Sequence, residues 1–152
     1  MSTRANIIYV DENNIAHSVY CHNDGYPEGV GCILKTNYTD IEKIKELISY
    51  GDMSALRPKI HPVAGIPHKA NSFIPDTCQP DVCIFYHRDR GDEWEYTKPL
   101  KFEYTTKNIH DNIGSDIDYT YVWYDNRWNI YNFRTDDLIE LTDEICKNGI
   151  SD

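Results

Sequence analysis

Residues 119–133 read YTYVWYDNRWNIYNF, two aromatic runs, Tyr119 to Tyr124 and Arg127 to Phe133, on either side of Asp125-Asn126. Aromatic side chains suit the pleated surface of a sheet, and a two-residue Asp-Asn link suits the turn that joins antiparallel strands. The segment is a β-hairpin anchored by Trp123 and Trp128. Alternation sends Tyr119, Tyr121, Trp123, Trp128, Ile130 and Phe133 to one buried face and turns Tyr124 and Tyr131 elsewhere. Such a stripe could also stack a nucleotide base, but core packing is the commoner use.

Working outward, the chain opens on a second hairpin. Asn6 to Val10 is followed by the polar turn Asp11 to Asn14 and then by Ile15 to His22, where Ile15, His17, Val19 and Cys21 share one face. Asp24-Gly25 and Pro27 end that strand, and Pro27 leads a helix from Glu28 to about Asn37 that Gly29 and Gly31 weaken. Thr39 or Asp40 caps a stronger helix through Ile41, Ile44, Leu47 and Ile48 to Tyr50, with Gly51 placed for a left-handed stop. Arg57 to Pro80 carries five prolines, at 58, 62, 67, 75 and 80, and reads as an irregular excursion. Loops of that length are commonly functional or mobile.

Asp81 to His87 is nearly continuous in apolar residues and is predicted as a central strand, stopped by Arg88 to Asp92. Trp94 to Tyr104 is ambiguous, and Thr106 to Gly114 suits a short helix carrying Ile109 and Ile113. A last helix, capped by Thr135 and carrying Leu138, Ile139, Leu141 and Ile145, closes near Gly149. Strands and helices without βαβ alternation define a single α+β domain: a mostly antiparallel sheet, two central helices and a C-terminal helix.

Composition narrows the function. The 152 residues carry a net charge of -10, which disfavours nucleic acid and anionic membranes as partners, since both need a basic surface. No apolar run is long enough to span a bilayer and no signal-peptide pattern opens the chain, so a cytoplasmic protein is expected. The five cysteines, Cys21, Cys32, Cys78, Cys83 and Cys146, are odd in number and lack framework spacing, as reduced thiols do.

Two segments concentrate reactive side chains. In the first, Tyr20-Cys21-His22-Asn23-Asp24-Gly25-Tyr26-Pro27, His22, Asp24 and Tyr26 sit where a strand meets a turn and can hydrogen-bond a ligand or transfer protons. The plainer reading has Asp24 capping the turn and the tyrosines packing. In the second, His87-Arg88-Asp89-Arg90-Gly91-Asp92, two guanidiniums can grip a phosphate or carboxylate, or can form an ion-paired turn with the aspartates. His-Arg-Asp also occurs in the kinase catalytic loop, but Trp94 stands where that loop needs its metal-binding Asn, and no glycine-rich phosphate loop is present. Cys78, Cys83 and His87 lack the paired spacing of a structural zinc site, so no metal is expected. Dinucleotide, Walker and nucleophile-elbow fingerprints are missing, so no cofactor is expected either.

Taken together, Ser2-Thr3-Arg4 with Ile7, the block Tyr20 to Glu28 continuing to Gly31, Leu47-Ile48, Gly51-Asp52, Ser54 with Leu56, Tyr86 to Gly91 and the Trp128 strand resemble a family of small accessory proteins encoded in bacteriophages and prophages. The resemblance spans most of the chain, with Asn23 where Trp is usual and a longer Pro-rich excursion. It brings no established activity with it. It implies a phage accessory protein, of a kind that often blunts host defence in the host bacterial cytoplasm. The positive charge and aromatics concentrated in the motif segments of an otherwise acidic chain point to a homo-oligomer that sequesters a small anionic, nucleotide-derived ligand without catalysis, using Arg4, His22, Asp24, Tyr26, His87, Arg88, Asp89 and Arg90. Two alternatives stand beside this: an inhibitor that meets a host defence protein through its acidic surface, and a hydrolase or phosphodiesterase in which His22 and His87 supply acid and base.

Overall fold

The computed structural model describes residues 2–70 and 78–149. Eight strands form one sheet: β1 (Ala5–Val10), β2 (Ile15–Cys21), β3 (Met53–Ala55), β4 (Ile84–Phe85), β5 (Leu100–Glu103), β6 (Tyr119–Tyr124), β7 (Arg127–Asn132) and β8 (Asp137–Glu140). Their order is β4-β3-β2-β1-β6-β7-β8, with β5 also paired to β2. The β1/β6 and β2/β3 pairs are parallel and the others antiparallel, which gives the α+β architecture expected.

Both hairpins form. Asp125 and Asn126 take φ of 57° and 61°, the positive pair that a two-residue turn demands and that Asp and Asn tolerate. A π-helical turn, Pro27–Gly31, leads into α1 (Cys32–Asn37), and α2 (Ile41–Ser49) follows. Of the two caps considered for α2, Asp40 is the one used, accepting from the Glu42 amide, and Gly51 at φ 83° stops the segment. The ambiguous stretch resolves into α4 (Trp94–Thr97) and β5, after α3 (Tyr86–Arg90). Thr105 caps α5 (Thr106–Asn112).

Two expectations are corrected. Asp81 to His87 is no central strand: only Ile84–Phe85 pairs, at one end of the sheet, and Tyr86–Arg90 turns helical. Its apolar character reflects burial of Val82, Cys83, Ile84 and Phe85, with Cys83 and Phe85 in the same core as Leu47, Ile48 and Ile60. The helix capped by Thr135 is also absent. Asp136 adopts a left-handed turn at φ 57°, Leu138 and Ile139 pair with Tyr131 and Ile130 as part of β8, and α6 (Asp143–Asn148) starts only after Thr142, whose hydroxyl caps it. Adjacent apolar residues such as Leu138 and Ile139 fit an edge strand, with Leu138 partly buried and Ile139 exposed, as well as they fit a helix face.

Both faces of the sheet are covered. On one, Ile7, Tyr9, Val19, Cys21, Met53, Tyr121, Trp123, Trp128 and Ile130 pack against α1, α2 and α6. On the other, Ile8, Val10, Ala16, Val122 and Tyr131 meet Ile109 of α5 and Ile113, which follows its last turn. Tyr131 and Phe133 therefore belong to a second core, while Tyr124 stays exposed. Polar ends are tied off: Trp128 Nε1 donates to the Tyr38 carbonyl at 2.7 Å and Tyr121 Oη to the Gly25 carbonyl at 2.6 Å. Within 57–80 the described residues form no helix or strand, only a Lys59–Val82 bridge; residues 71–77 of the expected excursion lie outside the described residues.

Candidate functional site

The two polar segments flank β3 but leave it in opposite directions. The amides of His22 and Asn23 donate to the carbonyls of Met53 and Ser54, so β2 runs on alongside β3. Tyr86 donates instead to the Asp52 carbonyl, so β4 runs back past the start of β3. Tyr20 of the first segment and Tyr86 of the second lie close enough to interact electrostatically. Burial raises both phenols above the usual tyrosine range, each also feels a nearby guanidinium, Arg4 for Tyr20 and Arg90 for Tyr86, that pulls it back down, and Tyr20 raises Tyr86 further.

In the first segment, Tyr20 Oη lies 2.6 Å from Nδ1 of His22. Tyr26 donates to Asp24 at 3.2 Å, and the Asp24 carbonyl accepts from Val30 as the chain enters the helical segment. Arg4 and His22 share a shallow cavity of about 310 Å³ with Ser2, Asp116 and Asp118. There the Arg4 guanidinium pairs with Asp116 at 3.0 Å and its amide with Asp118 at 2.9 Å.

The second segment is turned inward. Asp89 is buried, with one carboxylate oxygen accepting from the Phe85 amide at 2.8 Å and Arg88 Nε 2.9 Å from the other. Arg88 also donates to the carbonyls of Ile60 at 2.6 Å and Cys83 at 3.1 Å, and its guanidinium lies over the Phe85 and Tyr50 rings. His68 completes the knot. It accepts at Nδ1 from Gln79 and donates from Nε2 to the Cys83 carbonyl, a division of roles that follows from an amide being only a donor and a carbonyl only an acceptor. Arg90 lies over Tyr86, and His87 donates to the Asp92 carbonyl at 2.8 Å with its ring against Trp94. These groups fasten the excursion to the sheet, and each imidazole of the proposed acid–base pair has its own separate partner.

A different set of residues lines a larger cleft, of about 450 Å³. Strand register sets it up: Tyr9 lies opposite His17 across β1 and β2, and His17 opposite Lys101 across β2 and β5. The row Tyr9–His17–Lys101 thus crosses three adjacent strands, and α2 leans over it with Lys45, Ile48 and Ser49, while Trp94 and Pro99 form the far wall. Nε2 of His17 donates to Oδ2 of Asp11 at 2.8 Å, and Oδ1 of Asp11 accepts from the amides of Asn13 and Ile15. The hydrogen bond from His17, followed by these amide bonds, holds the Asp11 carboxyl below its ordinary range against the opposing effect of burial. Burial raises the Tyr9 phenol, with Lys45 acting in the other direction. Lys101 makes no ion pair among the described residues.

None of these cleft residues stood out in the sequence. The available signal was His17, a polar residue on the inward face of the opening hairpin, six positions after the turn residue Asp11; its meaning depended on β5 pairing beside it. Among the described residues no three His, Cys, Asp or Glu side chains are grouped to hold a metal, and the Cys83 sulfur is engaged by Tyr38 and Arg57. No helix among the described residues is long and apolar enough to cross a membrane. Compared with known proteins, the chain matches no family model, no curated protein and no solved structure.

Proposed function

We propose that this protein is a binding protein that captures a small anionic ligand with a planar group in the cleft between α2, β5 and α4. The observation that carries the reading is the row Tyr9–His17–Lys101 facing Lys45 across the cleft, with Trp94 as a half-exposed aromatic wall. A cleft of about 450 Å³ is in the size range of small-molecule sites, and such sites combine apolar walls with a few convergent polar groups. Two carboxylates, Asp11 and Glu12, also line the cleft, and Asp11 is engaged by His17 and two backbone amides, so the anionic end of a ligand belongs with the two lysines. A phosphate or carboxylate would sit between Lys101 and Lys45, whose ion pair with Glu42 is a loose 3.9 Å, with a planar ring against the open part of Trp94. A nucleotide-derived signal has that chemistry, and its sequestration is the anti-defence role that the resemblance to phage accessory proteins implies.

Calorimetry with cyclic nucleotides and ADP-ribose derivatives tests the reading. Binding is expected to weaken roughly tenfold with Lys45→Ala and with Lys101→Ala, each removing one charge-assisted contact, and to survive Arg4→Ala. A panel with no binder, or affinity that ignores both lysines, overturns it.

The Asp11–His17 pair supports a second reading, hydrolysis. A carboxylate orienting one imidazole nitrogen leaves the other, Nδ1, able to take a proton from water, and Nδ1 of His17 makes no hydrogen bond among the described residues. Turnover of any bound nucleotide, abolished by His17→Ala, would favour it over capture.

A further inference from the structure

From the outer edge of β5 we infer that the protein forms a two-fold symmetric dimer in which β5 pairs antiparallel with β5 of a second copy. No strand among the described residues pairs with that edge; β5 is joined only to β2. The Tyr104 amide donates to the Asn14 carbonyl, which sets the phase of the β2/β5 ladder. In an antiparallel ladder, residues alternate between bonding toward one neighbour and toward the other, so Leu100 and Phe102 bond inward to β2. The amides and carbonyls of Lys101 and Glu103 therefore face outward, where Asn108 Nδ2 already reaches the Glu103 carbonyl.

The side chains are self-complementary about Phe102. A two-fold axis through Phe102 places Lys101 of each copy opposite Glu103 of the other, and these are the two residues whose backbone groups face out. Both charged side chains lie on one face of the sheet with His17, while Leu100, Phe102 and Tyr104 lie on the other. Apolar residues then meet apolar ones, with Leu100 opposite Tyr104 of the second copy. Opposite charges directly across a strand pair stabilise it and like charges destabilise it. Leu100 is 46% exposed and neighbouring Tyr96 is 80% exposed, so the edge presents apolar surface beside the ladder. The sheet's other long edge, β8, contains Asp137 and Glu140 and no basic residue, so no two-fold register there pairs opposite charges. Exposed edges template pairing unless blunted, and two-fold pairing of identical surfaces is the commonest closed assembly.

Lys101 also lines the cleft, whereas Glu103 does not, so sedimentation equilibrium without any ligand, with Glu103→Lys as the separating variant, tests this apart from the cleft reading. The expected mass is twice the 17.7 kDa of the chain. Lys101→Glu and Glu103→Lys each place like charges across both symmetry-related pairs and are expected to weaken the dimer roughly tenfold or more. The double variant Lys101→Glu with Glu103→Lys restores opposite charges and is expected to restore the dimer. A single-chain mass throughout the micromolar range, or a dimer that the single reversals leave unchanged, overturns the inference; so does a double variant no tighter than the singles.

Discussion

Nε2 of His17 sits 2.8 Å from Oδ2 of Asp11, joining the middle of one strand to the first residue of the turn that precedes it. The same carboxylate collects the amides of Asn13 and Ile15, so a single side chain closes the turn and orients the imidazole.

Asp11→Ala leaves the two amides and the imidazole without their acceptor, and is expected to cost about 1.5–3 kcal/mol in urea unfolding, the range for hydrogen bonds to a charged group. The folded carboxyl titrates below its unfolded value. Its contribution is therefore complete above the ordinary carboxylate range and is lost as pH falls through the lower folded value. Stability curves of wild type and variant should converge in acid; curves that stay parallel would contradict the arrangement.

Asp52 behaves in the opposite sense. Its side chain accepts from the Tyr20 amide at 2.9 Å, where β2 exchanges β5 for β3 as its neighbour, and burial raises its pKa to about 6 despite that bond. A carboxyl with a raised folded pKa destabilises the fold increasingly as pH rises from the unfolded value to about 6, and fully above it. Asp52→Asn keeps an acceptor for Tyr20 and removes the charge, so Tm should rise at neutral pH and stay unchanged near pH 4. A variant less stable than wild type at neutral pH rules this out.

Arg88 is expected to act on stability before anything else. Replacing it with Ala leaves Asp89 charged, buried and short of its nearest cation, and breaking such a buried pair costs about 3–5 kcal/mol. Arg88→Lys should recover little, because one ammonium cannot reach Asp89, Ile60 and Cys83 in the fork geometry of a guanidinium. Limited proteolysis gives the localised readout: new cleavage should fall beside Ile60 and Cys83, whose carbonyls Arg88 holds.

Asn126 holds φ at 61° in the β6–β7 turn. Asn126→Gly removes the left-handed strain of a side chain there and should add about 1 kcal/mol of stability. Thermal unfolding that shows a loss would mean that the Asn126 side chain is needed for more than the turn.

Both hairpins, α2 with a polar cap at Thr39 or Asp40 and its Gly stop, and the mostly antiparallel sheet were legible because each rests on local pattern: period-2 alternation, turn residues, helical spacing. What the sequence could not reveal was pairing. Ile84–Phe85 reads as a central strand because it is apolar, yet its position depends on β3, a strand of three residues. Leu138 and Ile139 fit either period, and Tyr131 and Ile130 across the ladder decided between them. The polar segments drew notice for their composition, but Arg88 and Asp89 are spent on the buried knot, whereas the cleft draws on residues from β1, β2, α2, α4 and β5 that only tertiary register assembles.

The parallel pairing of β1 with β6, Ala5 opposite Tyr119, has a consequence for synthesis. The first strand leaves the ribosome more than a hundred residues before its central partner exists, with β2 alone beside it. Even after β3, β4 and β5 join on the β2 side, the other edge of β1 stays unpaired, and long-range closure is slow. The nascent amino-terminal half must therefore persist as an incomplete sheet, open to chaperones and to misdirected pairing, until the aromatic hairpin arrives to complete it.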